Sequence, residues 1–292
     1  MHLLGIFFAL GAGIFFGILA PTTKIAYNLG VGVGIAIILR YFVASLLIAP
    51  FIPFQKNLLG VYKKFFLDFV LITFGSILLT SGLLLSVKFI DVSLAIIIFC
   101  TYPIFVLIFS IIIDKEIIPN IIKFLFLSTF IGLFFALGPA VSSLNAFGFL
   151  CAITASIGAT TMIVANQRMS NKSISPIQIN IFINFFNAIF FFCLLSLFFS
   201  LDFSISKVDF FVILIPSFSY AIALLLQLLA IPRIGQSLTA LFLYLEPVVA
   251  IIGSVILLKE NLNNYQIFGS ILVLSSLGFA TYFTDKSKND SS

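Results

Sequence analysis

Glu246 stands near the middle of an apolar run, 234–257, and of all residues in the chain it has the most scope for chemistry. A charge at the centre of a bilayer costs ~2.5–3.5 kcal/mol on insertion scales, so such a residue faces protein or a water-filled cavity and marks a functional site by default. A carboxyl held there suits reversible protonation or neutralisation of a cationic substrate group. The structural alternative is a protonated Glu hydrogen-bonded between helices, or a fixed partner of Arg40. Arg40 lies roughly a third of the way into the run 31–52. Its long stem can snorkel to the interface, pair with Glu246 or meet an anionic substrate group. Lys24 and Lys88 sit at the ends of runs, where snorkelling costs little.

Pro247 follows Glu246 directly and leaves the carbonyl near Leu243 without its helical donor, and Pro103 does the same near Phe99. The two prolines are candidate hinges or cavity linings, with simple packing as the alternative. Tyr102 precedes Pro103 as Glu246 precedes Pro247, and Tyr244 lies just ahead of the Glu. These two tyrosines, with Tyr220 and Gln227, are the next cavity candidates. Other polar side chains within the runs include Thr22, Thr23, Thr80, Asn166, Gln167, Asn180, Asn184, Asn187 and Gln236. Interhelical hydrogen bonds worth ~0.6 kcal/mol apiece account for most of them.

Competing chemistries lack their residues. His2 is the sole histidine and neither HExxH nor GxSxG occurs, so an intramembrane enzyme would have no nucleophile with a base and no metal ligands. A channel would need rings of charge or a carbonyl-rich filter, and neither is present. Without a Walker A sequence, ATP is not the direct energy source. Cys100, Cys151 and Cys193 each lie in an apolar run with no CxxC spacing, and they read as small hydrophobes. No metal or cofactor is implied.

The elements that position these residues follow from composition. Of 292 residues, 62% are apolar and 9% charged, and the mean hydropathy is +1.27. A soluble domain carries roughly a quarter of its residues as charge, so neither a soluble enzyme nor a disordered chain fits. Since a helical span takes ~20 apolar residues, breaks at Gly, Pro and charge clusters give ten spans: 3–23, 31–52, 67–87, 92–113, 120–138, 146–166, 178–200, 209–230, 234–257 and 263–283. The two-residue alternation of barrel strands is missing, which leaves an all-α integral membrane protein. The start of the chain lacks the basic region of a cleaved signal peptide, so its apolar run reads as the first span.

Cationic residues orient it. With the N-terminus in the cytoplasm, Lys56, Lys63, Lys64, Lys115, Lys123, Arg168, Lys172, Arg233, Lys286 and Lys288 fall inside, against Lys24, Lys88, Lys207 and Lys259 outside. The positive-inside rule therefore expects both termini in the cytoplasm. The net charge of +5 is spread along the chain and carries no nucleic-acid signature.

The chain also repeats. A shift of 144 residues lays SLAIIIFCTYPIFVLIFSIIIDKE on SLTALFLYLEPVVAIIGSVILLKE without a gap, placing Pro103 on Pro247 and Lys115-Glu116 on Lys259-Glu260. A shift of 143 places Gly5, Ala9 and Ala12 on Gly148, Ala152 and Ala155. Five spans per copy is an odd number, so the copies insert with opposite orientation, as in alternating-access transporters. Stripes of small residues (Ala9, Gly13, Gly17; Gly132, Ala136, Ala140) predict close helix packing inside the bundle rather than a dimer seam.

The short first span ending in Pro-Thr-Thr-Lys (21–24), the Arg of the second span and the fourth and ninth spans ending …P…KE resemble EamA-type permeases of the drug/metabolite transporter superfamily. The likeness covers nearly the whole chain as two tandem units, 1–140 and 141–284, with a cytoplasmic tail 285–292. It implies ten helices as two inverted five-helix repeats, a central cavity lined by both, and movement of small metabolites across a bacterial inner membrane. Glu246 departs from the apolar or small polar residues commoner at its position, so a relative's substrate is not transferred. The expected partners are a small-molecule substrate and the lipid bilayer, with the protein a monomer or homodimer. An amino acid or another amine-bearing compound is the favoured substrate, carried by proton coupling or exchange.

Overall fold

A computed structural model describes residues 2–51, 58–90, 92–138, 145–172, 174–198, 207–259 and 262–289. Lys56, Glu260, the 140/141 boundary between the repeats and residues 290–292 of the expected tail lie outside these. The described residues form helices and no strands. In a bilayer each backbone N–H and C=O must find its partner within the spanning segment, and a helix does this without help from its neighbours.

The first repeat runs α1 (His2–Asn28), α2 (Val33–Ile48), α3 (Leu58–Lys64), α4 (Phe66–Phe89), α5 (Val92–Phe99), α6 (Tyr102–Ile112) and α7 (Asn120–Leu137). The second runs α8 (Ala146–Asn171), α9 (Pro176–Phe198), α10 (Lys207–Phe242), α11 (Leu245–Leu258) and α12 (Asn264–Asn289). Nine helical segments among the described residues are long and apolar enough to cross a membrane, and Leu245–Leu257 is a shorter tenth. The chain is a multi-pass membrane protein of about ten helices.

Three details differ from the sequence expectation. The fourth and ninth spans are each interrupted, the fourth at Cys100–Thr101 between α5 and α6 and the ninth at Leu243–Tyr244 between α10 and α11. The expected loop between the eighth and ninth spans shrinks to one residue: helix continues through Pro232 and Arg233 and breaks only at Gly235, with φ 79° and ψ 166°. That backbone lies where a Cβ is disfavoured, so glycine is required. The short α3 carries Lys63 and Lys64 in its last turn, and its period was too brief to read.

Helix pairing follows the repeat. The α1–α10 contact has its counterpart in α8–α4, α1–α11 in α8–α5 and α8–α6, and α2–α10 in α9–α4. The α7–α12 and α2–α9 pairs map onto themselves. Details at the seams obey the same rule. A Cβ on Gly5 would strike Arg233 and Ile234, and one on Gly148 would strike Phe89 and Ile90, the residues 144 positions earlier. The small-residue stripes pack within the bundle, Gly13 and Gly17 against α11 and Gly132 against α12.

Candidate functional site

The two ungapped KE repeats become two interrupted helices. In the second, helix halts after Phe242 and restarts at Leu245, with Glu246 N–H donating to Leu243 O at 3.0 Å. Thr239 O accepts from Leu243 N–H at 3.1 Å. In the first, α5 halts at Phe99 and α6 starts at Tyr102, with Thr101 Oγ1 donating to Ile98 O at 2.7 Å. Cys100-Thr101 and Tyr244-Leu245 are repeat-equivalent. Pro103 and Pro247 therefore lie in the first turn of new helices, where proline's missing N–H has no intrahelical acceptor to satisfy and its fixed φ suits the helix start.

Each interrupted helix ends the same way. Lys115 (φ 53°) and Lys259 (φ 57°) both adopt the left-handed conformation. The carbonyls of the equivalent serines, Ser110 and Ser254, take the closing N–H groups of Glu116 and Lys259. The repeated Lys-Glu pair thus marks a helix terminus.

Glu246 occupies the first turn of α11 and is half-buried. The field of the α11 N-terminus favours a negative charge there. No hydrogen bond or ion pair ties its carboxylate to another described residue. It lies near enough to Tyr102 and Cys100 to act on both electrostatically, and Tyr102 also feels Tyr244. Tyr102 and Tyr244 are 5% and 1% exposed, and the Tyr244 hydroxyl is buried with no hydrogen-bond partner among the described residues. A buried hydroxyl left unpaired costs ~1–3 kcal/mol. Glu246, Tyr102, Tyr244 and Cys100 thus gather where the helices of both repeats break.

Arg40 and Tyr220 lie elsewhere. The Arg40 guanidinium carbon stands 5.8 Å from the centre of the Tyr220 ring and forms no ion pair with Glu246. Tyr220 meets Tyr41 edge-on at 5.4 Å, and the Tyr41 hydroxyl shares a 2.6 Å hydrogen bond with Thr80. Asn187 Nδ2 donates to Ser76 Oγ at 2.6 Å alongside. The ring centre of Phe16 of α1 lies 6.2 Å from that of Tyr220. Gln227 is buried on α10 and makes no hydrogen bond with another described residue.

One polar cluster was not foreseen. Gln236, just past the Gly235 break and fully buried, donates from Nε2 to Asp114 Oδ2 at 2.6 Å and to Ser110 Oγ at 2.7 Å. The single Ser237 hydroxyl hydrogen has two acceptors in reach, Ser110 Oγ at 2.8 Å and Glu116 Oε2 at 3.2 Å. The two carboxylates face the N-terminus of the helix that restarts after Gly235, where negative charge is favoured. This network ties the first repeat to the second at one end of the bundle. The signal in the sequence was the acidic residue on each side of Lys115, a position read as a repeat marker and an inside cation.

The profile of the EamA-like transporter family matches residues 3–138 and 146–282. No curated protein matches the chain. A solved structure described only as "Crystal structure of protein" superposes with a TM-score of 0.80 at 13% identity, covering 98% of this chain and 99% of that one, which establishes a shared fold. With both halves matched, the chain belongs to the EamA-like transporter family.

Proposed function

We propose that the protein is a secondary active transporter that moves a small polar metabolite, with an amino acid or amine-bearing compound favoured, by alternating access between its two inverted halves. The halves are 1–140 and 141–284, and the setting is a bacterial inner membrane with both termini and the tail 285–292 in the cytoplasm. The protein works there as a monomer or homodimer. Its energy comes from a proton gradient, the membrane potential or substrate exchange. The observation that carries this reading is the Glu246 carboxyl, half-buried and unpaired among the described residues, at a helix break facing its repeat counterpart Tyr102. A carboxyl so placed can take a proton or a substrate ammonium group, and Tyr102 and Tyr244 supply hydroxyls beside it. Pro103 and Pro247, each just past a break, are the proposed hinges. Arg40, Tyr220 and Gln227 are the further proposed substrate- or proton-binding residues, away from the Glu246 group.

The test is flux into proteoliposomes under an imposed pH gradient, comparing wild type with Glu246→Gln over labelled amino acids, polyamines, nucleosides and organic anions. Gradient-driven flux of one compound that the folded mutant loses is the expected result. Undiminished flux in Glu246→Gln removes the carboxyl from the mechanism.

A further inference from the structure

Between α6 and α8, with Leu71 of α4 at its back, lies an apolar groove of about 620 Å³. Phe105, Ile108, Ile112 and Ile157 are among its walls. Its two hydroxyls are already engaged: Thr161 Oγ1 donates to Ile157 O at 2.8 Å, and Thr160 Oγ1 to Ser156 O at 2.9 Å, with Tyr102 O at 3.4 Å. Apart from Arg168 at one end, the walls are apolar or carry hydroxyls that donate to backbone carbonyls, and this stretch suits a hydrocarbon.

One charge stands on the lining. Arg168 is exposed, in the last turn of α8, with its guanidinium carbon 5.4 Å from the centre of the Phe109 ring. It forms no ion pair with a described residue. Lys172, one turn on, is spent on Asp68 at 2.5 Å. The groove's charged end is where α6 and α8 finish and α4 begins, the end of the bundle that also carries Lys63, Lys64 and Lys115. A basic site between helices at a membrane face attracts anionic headgroups.

The groove is particular to this seam. At the repeat-equivalent seam, between α1 and α11, the positions of Thr160 and Phe109 are taken by Gly17 and Gly253. There α1 and α11 meet so closely that a Cβ on Gly17 would lie 2.5 Å from Val249 Cβ, and one on Gly253 would lie 2.8 Å from Pro21.

We propose that the groove is a binding site for an anionic phospholipid, one acyl chain lying between α6 and α8 and the phosphate resting on Arg168. The inference rests on the membrane setting alone and needs no substrate. Because α6 and α8 belong to opposite repeats, the lipid holds this seam apart, and through the Thr160–Tyr102 contact it borders the central site.

Native mass spectrometry of the purified chain, titrated with phosphatidylglycerol or phosphatidylcholine of identical acyl chains, tests this directly. Wild type should retain one phosphatidylglycerol with about fivefold preference, the factor that one interfacial cation is worth. Arg168→Gln should bring phosphatidylglycerol down to the phosphatidylcholine level while leaving the latter unchanged. Ile157→Trp, which fills the groove from an exposed position, should lower retention of both. Equal retention of the two lipids by wild type, or retention unmoved by either variant, overturns the proposal. So does displacement of phosphatidylglycerol by an equimolar neutral detergent. None of these outcomes bears on flux, so the transport reading stands or falls separately.

Discussion

The two helix seams flanking the central breaks have one backbone plan and opposite packing. At the α1–α11 seam, Gly17 and Gly253 let the helices touch, and a Cβ on Gly17 would meet Glu246 O at 2.6 Å. At the α8–α6 seam, Thr160 and Phe109 stand at the same places and a groove of about 620 Å³ remains. Duplication supplied the scaffold, and side-chain size decided which seam is shut. The same division runs through the breaks, where Tyr102 in one half answers Glu246 in the other. It also holds at the bundle ends, where the Gln236–Asp114 pair has only Val92 and Leu258 at its equivalent positions. A transporter that alternates needs two states of nearly equal energy. Asymmetric side chains on a symmetric scaffold are a means of setting that balance.

The strongest way to break this comparison is to close the difference in residue size. Gly17→Val forces its side chain into Val249 and the Glu246 carbonyl, where neither neighbour has room to move. Overpacking of this kind costs about 1–3 kcal/mol, and separating α1 from α11 also displaces Glu246. We expect a lower thermal midpoint in detergent and loss of flux. Thr160→Val, the matching change in the open seam, gives up one intrahelical bond and a long contact to Tyr102 O, so it should leave stability within about 1 kcal/mol of wild type. Equal damage from both variants would mean that the seams do not differ in packing.

Next in size is the end-to-end asymmetry. Gln236→Leu removes two hydrogen bonds, one of them to a carboxylate, and leaves Ser110 and Asp114 without that donor. The loss is on the order of 1–3 kcal/mol. The end of the bundle holding 110–116 and 236–242 should then open more often, by about tenfold for each 1.4 kcal/mol. Hydrogen exchange reads this as faster labelling of those segments with α5 unchanged. Uniform acceleration across the chain would instead report general destabilisation and remove the network's local role.

Much of this architecture was legible in the sequence. Composition required membrane helices, and the ungapped 144-residue match carried Pro, Lys and Glu together, so the paired elements were fixed before any geometry. The prolines were read as hinges or cavity linings within continuous spans, whereas each lies in the first turn of a new helix, a position that suits proline. The close seam was half visible: Gly17 fell in the small-residue stripe, but its counterpart Thr160 shows only when the repeats are compared position by position. Gly235 was hidden because a single residue of unusual backbone leaves no period to detect. The contacts of Gln236 with Asp114, and the separation of Arg40 from Glu246, join or part residues more than a hundred positions apart. Spacing along one chain carries no information on such pairs.

The smallest effect sharpens the contrast between the two breaks. Tyr244 Oη is buried without a hydrogen-bond partner among the described residues, so Tyr244→Phe removes a desolvated polar group and keeps the ring. Stability should hold or rise by up to about 1 kcal/mol, a gain of a few degrees in thermal midpoint. If the hydroxyl is kept for substrate, the same variant should raise KM for flux while folding improves. A stabilised protein with poorer transport would place Tyr244 on the functional side of the break with Glu246. A fall in the midpoint would show instead that the hydroxyl has a structural partner, an ordered water being the simplest, and would return Tyr244 to the core.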